Sequence, residues 1–306
     1  MRVMRLTAGE LAEASAPVPV PGESELLIRV CAVGVTPTEL LWYPTTNTKT
    51  GEARMGAIPG HEFSGVIAAV GPGVEGFAAG QEVFGLNDWF DEGATAEYCL
   101  TKAAFVAAKP ARLSHVEAAS VPISGLTAWQ ALFDHAALQP GERLLVHGGA
   151  GSVGLFAVQL GRRHGAHVIA TASARDAEFV TELGAEQVID YRAGRFEESV
   201  GTVDVVFDTV GGATLERSWE VLKPAGRMVT VAADEEKAER VKKAFFIVEP
   251  NARQLGAIAE LLQTGQIRTG VARVVPFSLA ADAYGGRIEK SSQGKIVVDV
   301  EAERND

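Results

Sequence analysis

A glycine-rich segment is the part of this sequence whose spacing most directly indicates chemistry. Residues 149–154 read Gly-Ala-Gly-Ser-Val-Gly, which is the pattern G-x-G-x-x-G. They follow a predicted buried strand at 143–147 and open a predicted helix that Gly165 ends. In that context the free helix N-terminus binds the pyrophosphate of a dinucleotide, whereas a glycine-rich turn without a ligand is the alternative. The predicted binding residues here are Gly149, Gly151, Ser152, Val153 and Gly154.

The end of the following strand predicts which dinucleotide binds. Sites that prefer NAD place an Asp or Glu there to bind the ribose 2′-hydroxyl, but the strand at 166–171 is followed by Ala-Ser-Ala-Arg. Ser173 could donate to a 2′-phosphate and Arg175 could pair with it through two hydrogen bonds, which favours NADPH over NADH. The alternative is that Ser173 caps the next helix and Arg175 is a surface charge. Asp176 is close enough to weaken the assignment to NADPH.

Alternating strands and helices surround the glycine loop and predict the fold that positions it. Strands are predicted at 143–147, 166–171, 188–190, 204–208 and 227–231. Because helices separate them, they indicate a doubly wound parallel α/β sheet of the Rossmann type. The first hundred residues instead show short strands between Gly and Pro turns, which are typical of a small β-barrel. We therefore predict a Rossmann domain at 111–267, inserted into a β-barrel domain formed by 1–110 and 268–306.

Composition and charge narrow the class of ligand and partner. The 306 residues carry a net charge of −11, which argues against a nucleic-acid or anionic-membrane partner and favours a small-molecule substrate. The two cysteines, Cys31 and Cys99, form no C-x-x-C pair, which is typical of a reducing compartment. The sequence has no apolar run of membrane-spanning length and no secretory signal, so we expect a cytoplasmic protein.

Several segments, together with the glycine loop, resemble one enzyme family. They read His-Gly-Gly-Ala-Gly-Ser-Val-Gly at 147–154, Gly-His-Glu-Phe-Ser-Gly-Val at 60–66, Gly-Leu-Thr-Ala-Trp at 125–129, Phe-Asp-Thr-Val-Gly-Gly at 207–212 and Gly-Lys-Ile-Val at 294–297. Over nearly the whole chain the sequence resembles the zinc-independent quinone oxidoreductases of the medium-chain dehydrogenase/reductase superfamily. The resemblance implies that the β-barrel domain is GroES-like, that the ligand binds in a cleft between the two domains, and that the protein is a homodimer or homotetramer.

The resemblance also implies roles for residues outside the glycine loop. It places Thr127 near the nicotinamide carboxamide, Tyr191 beside the adenosine phosphate, and the backbone of Phe246 and Ile247 past the nicotinamide. Val210 lies in a turn after a predicted parallel strand, at the expected cofactor edge of the sheet. Each position has a structural alternative: a helix hydroxyl, a surface tyrosine, a buried strand and a simple turn, respectively.

The zinc-dependent branch of the superfamily raises the question of a metal ion. A catalytic zinc needs three protein ligands, usually Cys, His or Glu. His61 matches the histidine ligand of that branch. The expected cysteines are missing, since 34–39 reads Gly-Val-Thr-Pro-Thr-Glu and 120–122 reads Ser-Val-Pro. We therefore predict no bound metal, and we expect His61 to form hydrogen bonds within a turn.

Without a metal ion, substrates that accept hydride readily are favoured, namely quinones and α,β-unsaturated carbonyls. We therefore expect an NADPH-dependent reductase of such a small electrophile. A hydrogen-bond donor near the substrate oxygen would stabilise the developing charge. Thr36, which replaces an asparagine of the family pattern, is one candidate, and Tyr43 is the candidate proton donor, with a packing role as its alternative. A zinc-type alcohol dehydrogenase and a non-catalytic NADPH-binding protein are the alternative functions.

Overall fold

The structure is a computed structural model that describes residues 1–7, 9–232, 238–289 and 293–303. Within these residues the strands are β1 (Arg2–Thr7), β2 (Glu10–Ser15), β3 (Glu25–Val35), β4 (Glu62–Val70), β5 (Glu82–Leu86), β6 (Tyr98–Lys102), β7 (Val106–Ala108), β8 (Arg143–Val146), β9 (His167–Ala172), β10 (Gln187–Asp190), β11 (Val203–Asp208), β12 (Leu222–Thr230), β13 (Val271–Pro276) and β14 (Lys295–Asp299). The helices are α1 (Tyr43–Thr46), α2 (His115–Ala119), α3 (Pro122–Trp129), α4 (Gly154–Arg163), α5 (Ala177–Glu182), α6 (Glu197–Val200), α7 (Gly212–Ser218), α8 (Glu239–Ala244), α9 (Ala252–Gln263) and α10 (Ala280–Tyr284). None of the helices in the described residues is long and apolar enough to span a membrane.

One compact unit consists of Met1–Ile123 and Glu249–Asp306. Its seven-stranded sheet has the order β13-β14-β3-β4-β5-β7, and β6 also pairs with β3. The long strand β3 is almost wholly buried and pairs antiparallel with β4, β6 and β14. Its pairing with β4 contains two irregularities, which bend a strand and increase its twist. Apart from the parallel pair of β13 and β14, the sheet is antiparallel and has an apolar core, as predicted for the β domain, and we call this the antiparallel unit.

The other compact unit, which we call the parallel unit, is Ser124–Val248. Its five-stranded sheet has the order β10-β9-β8-β11-β12, and every neighbouring pair is parallel. Counted along the chain within the unit, this is the order 3-2-1-4-5 of a Rossmann sheet. Apart from Arg143 and Asp204, the side chains of β8 and β11 are buried, as expected where helices cover both faces. The predicted Rossmann fold is therefore confirmed.

Local sequence signals explain where several helices begin and end. Ser114 and Glu117 form a capping box at the start of α2, and the side chain of Asn251 caps α9. Gly165 has a φ of +91° just beyond α4, which is the predicted helix stop. Both α2 and α9 pack on strands of the antiparallel sheet, on β3 and β4 and on β7, respectively. The domain boundaries at 110/111 and 267/268 stay a prediction.

Candidate functional site

The glycine loop connects β8 to α4 by a close approach of backbone to backbone. Gly148, one residue before the glycine pattern, makes the left-handed turn, with a φ of +78°. A methyl group on Gly154 would overlap the carbonyl oxygen of Gly148, so only glycine lets the helix start this close to the loop. A methyl group on Gly149 would lie 2.9 Å from the Cβ of Ala170 on β9. The loop is thus packed tightly against both the helix and the sheet.

The first turn of α4 carries backbone donors that the protein does not use. Val153 is the N-cap residue of α4, and no side chain caps this helix. In the described part of the chain, the N–H groups of Ser152 and Val153 have no acceptor. Because such groups carry the positive end of the helix dipole, this turn can bind phosphate oxygens. The loop also stands at the carboxyl end of the central strand, where open α/β sheets bind ligands.

Beside the loop, the ends of β9 and β10 carry two of the predicted cofactor residues. Ser173 directly follows β9, and Tyr191 directly follows β10. The N–H of Tyr191 donates to the carbonyl oxygen of Ala172 at 3.2 Å, so the two strand ends are adjacent. The side chain of Tyr191 is exposed, and the guanidinium of Arg192 lies 5.4 Å from the centre of its ring. Tyr191 therefore presents an open aromatic surface at this edge.

On the other side of the loop, the ends of β11 and β12 carry the remaining predicted residues of this edge. A methyl group on Gly148 would lie 3.5 Å from a side-chain atom of Val210, which follows β11. The N–H of Phe246 donates to Thr230, the last residue of β12, at 3.3 Å. Phe246 is buried, whereas the neighbouring Ile247 is exposed. At least one predicted cofactor residue therefore lies at the carboxyl end of each of the five strands of this sheet.

Both predicted 2′-phosphate residues, Ser173 and Arg175, contact Asp176. The hydroxyl of Ser173 donates to Oδ2 of Asp176 at 2.6 Å, and both residues are buried. Ser173 makes no helix-capping hydrogen bond. Nε of Arg175 lies 3.4 Å from Oδ1 of Asp176, and the Arg175 side chain is 77% exposed. The arginine is therefore the more accessible group for an anion, while the serine hydroxyl already has an acceptor.

In the antiparallel unit, His61 and Glu39 form a buried hydrogen-bonded pair. Nδ1 of His61 lies 2.6 Å from Oε1 of Glu39, and the same oxygen accepts the N–H of Gly60 at 2.7 Å. Nε2 of His61 lies 3.2 Å from the carbonyl oxygen of Asp91, and the ring of Trp89 packs on the imidazole at 5.2 Å. Both ring nitrogens of His61 thus have protein partners, but these partners lie 22 and 30 positions away in the chain, so the predicted hydrogen bonding within a turn is wrong.

A second buried polar group links the starts of β4 and β14. Glu62 and Lys295 form an ion pair, and both are almost fully buried. The other carboxylate oxygen of Glu62 accepts the N–H of Ile123 at 3.0 Å. Burial raises the pKa of Glu62, although the ammonium of Lys295 acts in the opposite direction. Nζ of Lys295 also lies 3.5 Å from the hydroxyl oxygen of Thr36, which is half-buried.

This set of side chains does not fit a catalytic zinc ion. Among the described residues there is no group of three or more His, Cys, Asp and Glu side chains that could hold a metal. The segment 34–39 has no cysteine, and both nitrogens of His61 have protein partners. Cys31 and Cys99 are buried in strands, and burial raises the pKa of the Cys99 thiol. We derive no catalytic step through a metal ion.

Three further predicted site residues lie elsewhere than the edge of the parallel sheet. Thr127 is buried within α3. Thr36 and Tyr43 belong to the antiparallel unit, on either side of a short 3₁₀ helix at Pro37–Leu41. Tyr43 is 55% exposed, and its ring contacts that of Phe90 edge-to-face.

Glu39 and Lys295 were not among the predicted site residues, although the sequence contains one signal for the lysine. Lys295 directly precedes the apolar run Ile-Val-Val at 296–298, and a lysine buried with such a strand needs a buried acceptor. That acceptor is Glu62, which precedes it by 233 positions.

Comparisons with known proteins agree with the two-unit fold. Residues 22–111 match the family model described as "Alcohol dehydrogenase GroES-like domain", and residues 183–298 match "Zinc-binding dehydrogenase". A "Probable zinc-binding oxidoreductase, mitochondrial" from Arthroderma benhamiae is 31% identical over 93% of this chain and 91% of its own length. The "2-methylene-furan-3-one reductase" of Solanum lycopersicum is 30% identical over 94% of this chain and 74% of its own length.

A solved structure gives the same result at the level of the fold. The quinone oxidoreductase from Coxiella burnetii superposes with a TM-score of 0.87 at 29% identity, covering 98% of this chain and 99% of that one. The similar proteins named above are all oxidoreductases, and together they span both units. The chain is thus an oxidoreductase that belongs to the medium-chain dehydrogenase/reductase superfamily, as the glycine loop and the flanking motifs predicted.

Proposed function

We propose that this protein is an NADPH-dependent reductase that transfers hydride to a quinone or an α,β-unsaturated carbonyl without a metal ion. The observation that carries the proposal is the carboxyl edge of the parallel sheet, where an uncapped helix N-terminus stands in a row of predicted cofactor residues. The similar proteins named above include a 2-methylene-furan-3-one reductase and a quinone oxidoreductase, which supports this substrate class.

The residues of the parallel unit suit the parts of NADPH. The N–H groups of Ser152 and Val153 would bind the pyrophosphate, and Arg175 would bind the 2′-phosphate. Further contacts would come from the other predicted positions, namely Thr127, Tyr191, Val210, Phe246 and Ile247. Bound NADPH would supply the hydride, and the protein would orient the reactants and stabilise developing charge. Since Asp176 already accepts from Ser173, we assign the preference for the 2′-phosphate chiefly to Arg175.

The proposed absence of zinc restricts the substrate. The donor set at Thr36 and His61 lacks the three free ligands of a catalytic zinc, so no Lewis acid would polarise an unactivated ketone. Quinones and enones spread the incoming charge over a conjugated system and need only a hydrogen-bond donor at the oxygen. The Thr36 hydroxyl is our candidate for that donor, and the exposed Tyr43, beyond the 3₁₀ helix that follows Thr36, is the candidate for delivering a proton. The homodimer or homotetramer also stays a proposal, which light scattering would test.

The first test compares NADPH with NADH in the wild type and in Arg175→Ala. Loss of one charge-assisted hydrogen bond, about 1.5 kcal/mol, would weaken NADPH binding about tenfold and leave NADH binding unchanged. Arg163→Ala is the matched control, because Arg163 is an exposed arginine at the opposite end of α4. Equal effects of Arg175→Ala on both dinucleotides would refute the assignment of the 2′-phosphate site.

A second test addresses the reaction and the metal together. Purified protein should oxidise NADPH with quinones or enones, contain no stoichiometric zinc and keep its activity after treatment with a chelator. One zinc per chain with loss of activity on chelation would favour an alcohol dehydrogenase of the zinc type. Binding of NADPH without turnover of any quinone or enone would favour a non-catalytic role.

A further inference from the structure

The ion pair between Glu62 and Lys295 places a cation deep inside the antiparallel unit. Both oxygens of Glu62 are occupied, one by Lys295 and the other by the N–H of Ile123. The Lys295 ammonium has three N–H groups. In the described part of the chain its side-chain acceptors are Glu62 and the hydroxyl of Thr36 at 3.5 Å. Each oxygen of the carboxylate thus has one partner, and the ammonium has a further contact with Thr36.

The side chain of Thr36 does not cap the helix that it precedes. It occupies the N-cap position of the 3₁₀ helix at Pro37–Leu41, yet its side chain makes no capping hydrogen bond. Its hydroxyl oxygen has one hydrogen-bond partner among the described residues, which is Nζ of Lys295. An ammonium can only donate, so the oxygen of Thr36 accepts and its own hydrogen remains available for another acceptor. Because Thr36 is half-buried and Lys295 is buried, a ligand would meet the hydroxyl before the ammonium.

We propose that Glu62 and Lys295 form a positioning pair that orients the Thr36 hydroxyl as a hydrogen-bond donor to an oxyanion of the substrate. The inference rests on the proposed function, in which hydride adds to the β-carbon of an enone. The electron pair of the C=C bond then moves toward the carbonyl, whose oxygen becomes an enolate anion, and a proton delivered by Tyr43, which solvent reprotonates, later binds the α-carbon. A hydroxyl that accepts from a cation is polarised, and a donor fixed in advance stabilises such an anion most effectively.

The pairing of Lys295 with Glu62 also explains why the donor would be a hydroxyl rather than the lysine itself. A buried ammonium without a counter-ion would lose its proton or disrupt the fold, and Glu62 prevents this. The pair of Glu62 and Lys295 is neutral overall, and its ammonium group still faces the hydroxyl of Thr36. The substrate class that this arrangement would recognise is therefore a compound with an oxygen that gains negative charge.

The test uses an oxyanion probe that needs no turnover. Binding of 4-nitrophenolate, an aryl oxyanion, is compared with that of 4-nitroanisole, its uncharged methyl ether, by absorbance titration of the full chain. We expect the wild type to prefer the phenolate, and Thr36→Val to reduce this preference about tenfold. Thr36→Ser should restore most of it. Thr38→Val is the matched control, because Thr38 is an exposed threonine of the same 3₁₀ helix.

The positioning role is tested by removing both charges, since Lys295→Met alone would leave a buried carboxylate unpaired. We expect the double variant Glu62→Gln/Lys295→Met to lose the phenolate preference about as strongly as Thr36→Val, while Lys295→Arg retains part of it. In enone reduction, the double variant and Thr36→Val should lower kcat by about 10²-fold with little change in KM. If the double variant does not fold, Thr36→Val and Lys295→Arg still decide the question.

An unchanged phenolate preference in Thr36→Val, or in the folded double variant, would overturn the proposal. Failure of the proposed function is a separate outcome, because a wild type that oxidises no NADPH with quinones or enones can still bind the phenolate through Thr36. In that case the oxyanion site stands and only its assignment to hydride transfer is withdrawn.

Discussion

His147 gives a prediction whose size follows from its surroundings in the parallel unit. It ends the apolar run of β8 just before the glycine loop and is fully buried. Its ring nitrogens contact the hydroxyls of Thr171, at 3.2 Å, and Ser218, at 2.9 Å. Burial lowers the pKa of His147 to about 4; the positive charge of Arg217 acts in the same direction, and the negative charge of Glu197 opposes it. The imidazole is therefore neutral in the folded protein at pH 7.

The lowered pKa sets both the sign and the size of a pH effect. In the unfolded chain His147 takes up a proton near pH 6.5, whereas in the folded protein it does so only near pH 4. The unfolded state therefore binds more protons between these values, so the stability that His147 contributes is present above pH 6.5 and is lost as the pH falls through 4. At roughly 1.4 kcal/mol per pKa unit, the loss is about 3 kcal/mol.

Urea unfolding at several pH values between 7 and 4 measures this effect, with His147→Asn as the comparison. The variant cannot titrate at this position, so its free energy of unfolding should fall by about 3 kcal/mol less than that of the wild type over the same range. Protonation of carboxylates with lowered pKa values, such as Glu142 and Asp204, also destabilises the protein in acid. These residues are present in both proteins, so their effect cancels when the two free energies of unfolding are subtracted. Parallel stability curves for the two proteins would refute the reasoning.

Two other predictions concern the glycine loop and the cysteines. Gly154→Ala should weaken NADPH binding at least tenfold, because the new methyl group overlaps the carbonyl of Gly148; Gly256→Ala, in α9 with open space around it, should leave binding unchanged and raise stability by up to about 1 kcal/mol. Normal binding by Gly154→Ala would show that the loop adjusts freely. Cys31 and Cys99 should resist a thiol reagent at about pH 8 until the protein is denatured, because both are buried. Rapid labelling of the native protein would show that the strands around them open.

The fold of the parallel unit could be predicted because its signals are local. Apolar runs and intervening helices identified the β-α-β units, and the glycine pattern identified the loop after the central strand. The carboxyl ends of parallel strands necessarily share one edge, so residues predicted separately after each strand, such as Ser173, Tyr191 and Val210, do meet there. Sequence spacing alone could not show that Ser173 bonds to Asp176, since this depends on the rotamers of two side chains in one tight turn.

The polar groups of the antiparallel unit were harder to predict because their partners are distant in sequence. Glu39 meets His61 across 22 positions and Lys295 meets Glu62 across 233, and both contacts depend on how β3, β4 and β14 are arranged. His61 is hydrogen-bonded, but to Glu39 and Asp91 and not within its own turn as predicted, and no partner was predicted for Glu62 or Lys295. Long-range pairing of this kind follows from sheet topology, which local periodicity does not determine.

The antiparallel unit has two buried polar pairs, Glu39 with His61 and Glu62 with Lys295. A contribution to stability explains the first pair better than the second. The pair of Glu39 and His61 also holds the backbone of Gly60 and Asp91, so it orders two loops. The ion pair of Glu62 and Lys295 holds one backbone N–H, that of Ile123. An apolar pair of similar volume is often as stable as a buried ion pair or more stable, because desolvation of two charges offsets their attraction. What the ion pair adds and an apolar pair could not is a fixed positive group beside the otherwise uncommitted hydroxyl of Thr36, which is the contact on which the oxyanion proposal depends.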